Sequence, residues 1–301
     1  EMELSNLQLA GTLPIGQICQ LRSLEKLAFR HNTLRGRISP DLNNCIRLRY
    51  LDLSQNHFTG PFPPISSLNR LRFLYLSLSG ISGSFPWASL NNLMNSLRVL
   101  SIGDNLLDRS PFPVELTQFY NLNNLYLSNC SIDGRIPAGI GNLTWLVNLE
   151  LSDNHLSGEI PLEIGMLSNL WQLELFGNYL TGKLPIGLRN LTNLQFFDAS
   201  INHLQGDLSE LRFLSNLVSL QVYETEIAGE VPWEFGEFRH LVNLSLYRSN
   251  LTGQLPPALG SWAKFNYIDV SENFLTGPIP PDMCKQGTMK KLLMLDNKFT
   301  G

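Results

Sequence analysis

The sequence predicts a solenoid: a right-handed superhelix of short stacked repeats whose strands form a parallel β-sheet on the concave face. Three observations predict it. Of 301 residues, 58 are Leu and 28 are Asn, while only 16% are charged, far from ordinary globular usage. The chain is self-similar, since LVNLELSDNHLSGEIP, LWQLELFGNYLTGKLP and LQFFDASINHLQGDLS each begin 24 residues after the last. A marker position, usually Asn, recurs at Leu7, Asn32, Asn56, Ser79, Asn105, Cys130, Asn154, Asn178, Asn202, Thr225, Ser249, Asn273 and Asn297, at intervals of 23 to 26 residues. A unit this short buries its apolar face only by stacking on neighbours. Residues 1–301 therefore read as one domain of about 13 repeats of about 24 residues.

Each element of this leucine-rich repeat has its own reason. The LxL segment alternates apolar and variable residues, the period of a short strand with its leucines turned into the core. The marker Asn sits where the backbone leaves the strand, and its amide satisfies peptide groups along the stack. Cys, Ser or Thr there does this less completely. Gly follows four residues later in twelve of the thirteen repeats, as at Gly36, Gly60 and Gly158, with Arg109 the exception; such a Gly suits a turn of positive φ. An apolar residue and usually Pro come next, as in GRIP, GEIP and GKLP. They read as a second extended segment on the flank, where Pro is tolerated.

Charge and composition remove several function classes. A net charge of −4 offers no electrostatic footprint for nucleic acid or an anionic membrane. No apolar run is long enough to span a bilayer, and no leader is evident. Cys19, Cys45, Cys130 and Cys284 are too scattered for a CxxC metal site. Cys45 replaces a core residue and Cys19 occupies a turn, so their different offsets argue against a bridge; Cys284 shares the offset of Cys19 and reads as a thiol near the surface. Sequons at Asn129, Asn142, Asn190, Asn243 and Asn250 fit a secreted glycoprotein. Asn142 and Asn190 are the favoured glycan carriers, whereas a glycan on Asn243 would obstruct the concave face.

The LxGxIP signature resembles the plant-specific class of leucine-rich repeats found in the extracellular parts of receptor kinases. The segments LYLSNCSIDGRIP, NLWQLELFGN, QGDLSELRFLSNLVSLQ, PWEFGEF, LVNLSLY and SENFLTGPIPPDMCK resemble its peptide-receptor subgroup, subfamily XI, and most nearly the HAIKU-type branch. The resemblance implies a parent Ser/Thr receptor kinase at the extracellular face of the plasma membrane. It implies that this chain is a fragment without N-terminal cap, C-terminal cap, transmembrane helix or kinase domain. Its expected partners are a small secreted peptide and, through later repeats, a leucine-rich-repeat co-receptor kinase of the somatic-embryogenesis type. The subgroup's Arg-x-Arg pair for the peptide carboxylate has no counterpart on any strand here and is expected beyond Gly301. Weak peptide binding by the isolated chain is expected for that reason.

The residue between the two strand leucines faces a concave ligand. In order these are Glu3, Ala28, Asp52, Tyr75, Ser101, Tyr126, Glu150, Glu174, Asp198, Gln221, Ser245, Asp269 and Leu293, six of them acidic and none basic. Phe73, Asn148, Gln172, Phe176, Phe196, Tyr223, Tyr247 and Tyr267 flank them, with His155, Tyr179 and His203 just past the turn. Aromatic rings give amphipathic contact at low entropy cost, and an acidic row draws in a basic segment. The expected peptide contacts are therefore Phe73, Tyr75, Tyr126, Asn148, Glu150, Gln172, Glu174, Phe176, Phe196, Asp198, Gln221, Tyr223, Ser245 and Tyr247.

Other chemistries fit less well. Glu150, Glu174 and Asp198 resemble paired glycosidase carboxylates in spacing, but nothing splits their environments into acid and base. A ligand cation is the better partner. His155 and His203 lie two repeats apart, too far to share a metal. No catalytic or cofactor motif appears, so the chain reads as a binding protein without cofactor. The alternative is a leucine-rich-repeat inhibitor of a secreted microbial or wall-degrading enzyme.

Overall fold

The computed structural model describes residues 1–300. The chain forms two compact units, Glu1–His155 and a second beginning at Leu156.

In the first unit seven two- or three-residue strands pair in parallel, in chain order: Met2–Glu3, Lys26–Ala28, Tyr50–Asp52, Phe73–Tyr75, Val99–Ser101, Asn124–Tyr126 and Asn148–Glu150. The register aligns Leu27, Leu51, Leu74, Leu100, Leu125 and Leu149 across neighbours, and every one of them is 0 to 1% exposed. In the second unit Gln172–Glu174, Phe196–Asp198, Ser219–Gln221, Asn243–Ser245, Tyr267–Asp269 and Lys291–Leu293 pair the same way. Leu173, Phe197, Leu220, Leu244 and Ile268 form the corresponding buried row. Alternation along each strand thus turns one row of side chains into the core.

The marker asparagines close the ladder. Asn154 is 4% exposed; its amide nitrogen donates to the carbonyls of Leu151 and Ser152 and, one repeat back, of Leu127 at 2.8 Å. Its carbonyl oxygen accepts from the N–H groups of Cys130 and Ile132. One side chain thereby satisfies five buried peptide groups. Where Cys130 replaces Asn, its thiol reaches only two carbonyls, at 3.5 and 3.6 Å. Thr225 keeps one main-chain bond, to the carbonyl of Val222.

The residue just before the marker is left-handed in every repeat. Asp104, Asp153, Asp296 and Gly177 suit that geometry, whereas Leu78 and Ile201 adopt it at φ 54° and 51°, at a steric cost for a bulky side chain. The glycines four residues past the marker also have positive φ, from Gly11 to Gly277; Gly301, the last of them, lies outside the described residues. The flanking second strand forms, but from the residues between marker and Gly: Thr33–Gly36, Ile132–Gly134 and Tyr179–Lys183. The Ile-Pro portion ends it, and Pro then starts a short 3-10 turn such as Ala138–Asn142 or Ile186–Asn190. In the second unit two such turns approach so closely that a Cβ on Gly187 would sit 2.2 Å from the Leu162 carbonyl oxygen.

One sequence expectation is overturned. Cys19 and Cys45 form a disulfide, with Cα atoms 4.8 Å apart. Their offsets differ because the first connection is an α-turn, Ile15–Ile18, capped by Cys19, while the second is a 3-10 turn, Pro40–Asn44, capped by Cys45. The two windings bring different repeat positions to the same place on the flank. Cys284 is exposed and Cys130 buried, both free.

Candidate functional site

The inner sheet face of the first unit carries an open pocket of about 310 Å³, lined by Tyr75, Val99, Ser101, Asn124, Tyr126, Asn148 and Glu150. Four expected contact residues therefore meet in one place. Asn124–Tyr126 lies in register between Val99–Ser101 and Asn148–Glu150, which brings their outward side chains together. Asn148 donates to Glu150 Oε1 at 2.6 Å, while Asn148 Oδ1 is buried with no hydrogen-bond partner. Burial pushes the Glu150 carboxyl above its usual range, against the Asn148 bond that lowers it. The Tyr126 hydroxyl donates to Asp104 Oδ2; burial and that carboxylate raise its pKa. Phe73 is half-buried, and beside it Tyr50, which the sequence reading left out, brings its ring 5.8 Å from Phe73 and 5.5 Å from Tyr75. The pocket thus joins π faces to a carboxyl and a buried amide oxygen with no hydrogen-bond partner, beside the Tyr75 and Ser101 hydroxyls and the Asn124 amide.

The acidic row is not uniform. Asp52, Asp198 and Asp269 are 4 to 7% exposed, and each accepts from the backbone N–H two residues on, in Ser54, Ser200 and Ser271. Glu150 and Glu174 keep part of their surface, because the longer side chain does not fold back into that bond. Aspartate here closes its own turn; glutamate is left facing outward. Ser245 is likewise buried, at 4%.

In the second unit Gln172 donates to Glu174 at 3.2 Å, and Phe196 packs against Trp171 at 4.6 Å between centroids. Phe176 and Gln221 are half-exposed. Tyr223 and Tyr247 pair at 6.5 Å, and the Tyr247 hydroxyl donates to Glu272. Along the turns that follow the strands runs an open groove of about 840 Å³, with Tyr179, His203, Glu224, Glu226, Arg248, Glu272, Phe274 and Asp296 in its walls. Arg248 lies 3.9 Å from Glu224 and 3.8 Å from Glu272. Of this groove the sequence reading offered only Tyr179 and His203 as ligand-facing, beside the structural markers and the Asn250 sequon; Glu224, Arg248, Glu272 and Asp296 occupy the position just before the marker in four successive repeats, which reading only the strand positions passes over.

Among the described residues no three His, Cys, Asp or Glu side chains converge as metal ligands, and no helix is long and apolar enough to cross a membrane. Of the sequons, Asn129, Asn142, Asn190 and Asn250 are exposed and Asn243 is half-buried within an inner strand.

Comparison with known proteins agrees with this architecture. The Leucine Rich Repeat family matches residues 47–68, 121–143 and 145–167. A crystal structure of the Arabidopsis receptor kinase HAESA, in complex with the peptide hormone IDA and the co-receptor SERK1, superposes with a TM-score of 0.87 at 34% identity, covering 99% of this chain and 54% of that one. The fold is that of a plant leucine-rich-repeat receptor ectodomain. Receptor-like protein kinase 7 of Arabidopsis thaliana is 60% identical over 145 residues, which is 48% of this chain and 15% of the relative. Receptor-like protein kinase HAIKU2 of the same plant is 61% identical over 125 residues, 42% of this chain and 12% of the relative. The chain thus matches only a small part of the length of these receptor kinases.

Proposed function

We propose that this chain is the ligand-binding part of a plant receptor-kinase ectodomain that holds a small secreted peptide on its inner sheet faces. The contacts in the first unit are Phe73, Tyr75, Tyr126, Asn148 and Glu150. In the second they are Gln172, Glu174, Phe176, Phe196, Gln221, Tyr223 and Tyr247, with Asp198 and Ser245 shaping the strand beneath. The observation that carries this reading is the Tyr75–Tyr126–Glu150 pocket, a recess of π faces, a carboxyl and an unpartnered amide oxygen on an otherwise regular sheet. It suits a side chain that brings donors or positive charge. In the whole protein a somatic-embryogenesis-type co-receptor would dock on later repeats, so that two kinase domains meet across the plasma membrane from an extracellular complex.

Calorimetry of the full ectodomain against a library of secreted peptides, with Glu150→Gln and Glu174→Gln in a parallel sample, tests the reading. Saturable binding that weakens about tenfold in the variant is expected for a lost charge-assisted contact. No peptide binding, together with tight capture of a secreted glycosidase, would instead assign the face to enzyme inhibition.

A further inference from the structure

The edge at which the chain enters the strands of the first unit is strongly basic. Register places Arg49 opposite Arg72 and Arg72 opposite Arg98, since Tyr50 pairs with Phe73 and Phe73 with Val99. Two residues earlier stand Arg47 and Arg70, and one repeat before Arg47 lies Arg22, one residue out of that register, which Ser23 occupies. All six are exposed. Only Arg49 has an ion-pair partner among the described residues, Glu25 at 3.5 Å. Glu25 ends the row on one side and Asn123 on the other, by the same register. Like charges directly opposite each other on neighbouring strands repel, and nothing else in the unit neutralises this row.

From this placement we infer a second binding surface, for an acidic polysaccharide of the uronate type. Successive arginines repeat at the strand spacing of roughly 4.8 Å, and a 1,4-linked uronate carries one carboxylate per sugar ring, at a repeat of similar length. The two rows receive carboxylates that turn about the polysaccharide axis as it passes. An extended acidic peptide fits less well, because its same-side residues repeat at about 6.6 Å. Guanidinium forks suit carboxylates bidentately. The surface lies on the strand-entering edge, apart from the Tyr75–Tyr126–Glu150 pocket, and does not depend on the peptide reading.

The test uses the 301-residue chain and unesterified oligogalacturonate, with its methyl ester, a neutral glucan and poly-glutamate of matched length as competitors. Binding of the unesterified oligomer is expected, weakening as salt rises. The triple variant R49Q/R72Q/R98Q is expected to lose about tenfold in affinity, R47Q/R70Q a smaller factor, and R135Q, an exposed arginine away from the rows, none. Melting curves that coincide with the parent's establish that the variants are folded. Unchanged affinity in the triple variant, or equal binding of the methyl ester, overturns the proposal. Tighter binding of poly-glutamate overturns it in favour of an acidic protein segment. Glu150→Gln, which tests the peptide pocket, is expected to leave oligogalacturonate binding unaltered.

Discussion

The two units are built on the same kind of ladder and dressed with different side chains. At the position just before the strand, the first unit presents Arg49, Arg72 and Arg98 in three successive repeats between Glu25 and Asn123, while the second presents Trp171, Gln195, Val218, Val242 and Asn266, with a single basic residue, Lys290, at its last strand. Past the strand, the acids of the second unit gather around an open groove, whereas the first unit gathers its aromatic residues and Glu150 into a smaller pocket on the sheet itself. The inward rows are meanwhile interchangeable, Leu27 through Leu149 matching Leu173 through Ile268 in burial. Outward side chains take no part in the ladder, so their identity varies without loss of the fold. Surface chemistry and stability are therefore decided at different positions of one repeat.

Truncation of the inward row puts that equivalence to its hardest test. Leu149→Ala and Leu220→Ala, both at 0% exposed side chains, are each expected to cost about 4 kcal/mol in denaturant unfolding; a several-fold difference between them would break the claim that the two cores are equivalent. At the marker the residue type, not the unit, should decide the cost. Asn154→Ala strands several buried peptide groups and is expected to lose about 3 kcal/mol, against about 1 kcal/mol for Thr225→Ala with its single main-chain bond. The disulfide stabilises the first unit alone: Cys19→Ser with Cys45→Ser, which opens a link over 26 residues, is expected to cost about 3 kcal/mol. Hydrogen exchange read repeat by repeat should show the loss in residues 1–60 and none beyond residue 200.

Smaller effects refine the picture. Ile201, left-handed at φ 51°, is expected to gain about 1 kcal/mol on replacement by Gly, and Asp153 at the equivalent turn much less, since Asp tolerates that conformation. Thermal melts decide it. Last comes the pH dependence of Glu150, whose carboxyl is raised by burial in the folded protein. A raised folded pKa means that stability is full below the ordinary carboxylate pKa and falls as pH climbs through the folded value. The parent should therefore lose stability relative to Glu150→Gln over that window, and a carboxyl NMR titration should place Glu150 above the ordinary carboxylate range.

Strand positions, inward leucines and the marker were legible in the amino-acid order because each recurs with the same residue type at nearly the same interval. The left-handed residue before the marker was not, because Asp, Gln, Leu, Ile and Arg all occupy it and carry no common signal. Periodicity also treated Asp198 like Glu174, although one methylene decides whether the carboxylate folds back on Ser200 or faces outward. The Cys19–Cys45 bridge escaped for a related reason: counting offsets assumes that every connection winds alike, and the first does not.

Where the marker is asparagine, its amide bonds both its own turn and the one before it, so those boundaries between repeats are chemically alike. Duplicating or deleting one whole unit rejoins each donor to an equivalent acceptor, whereas slipping the frame by a residue strands a buried amide. Genes for such chains can thus lengthen or shorten by tandem copying in whole units, and ligand reach can evolve by recombination without any new folding problem being solved.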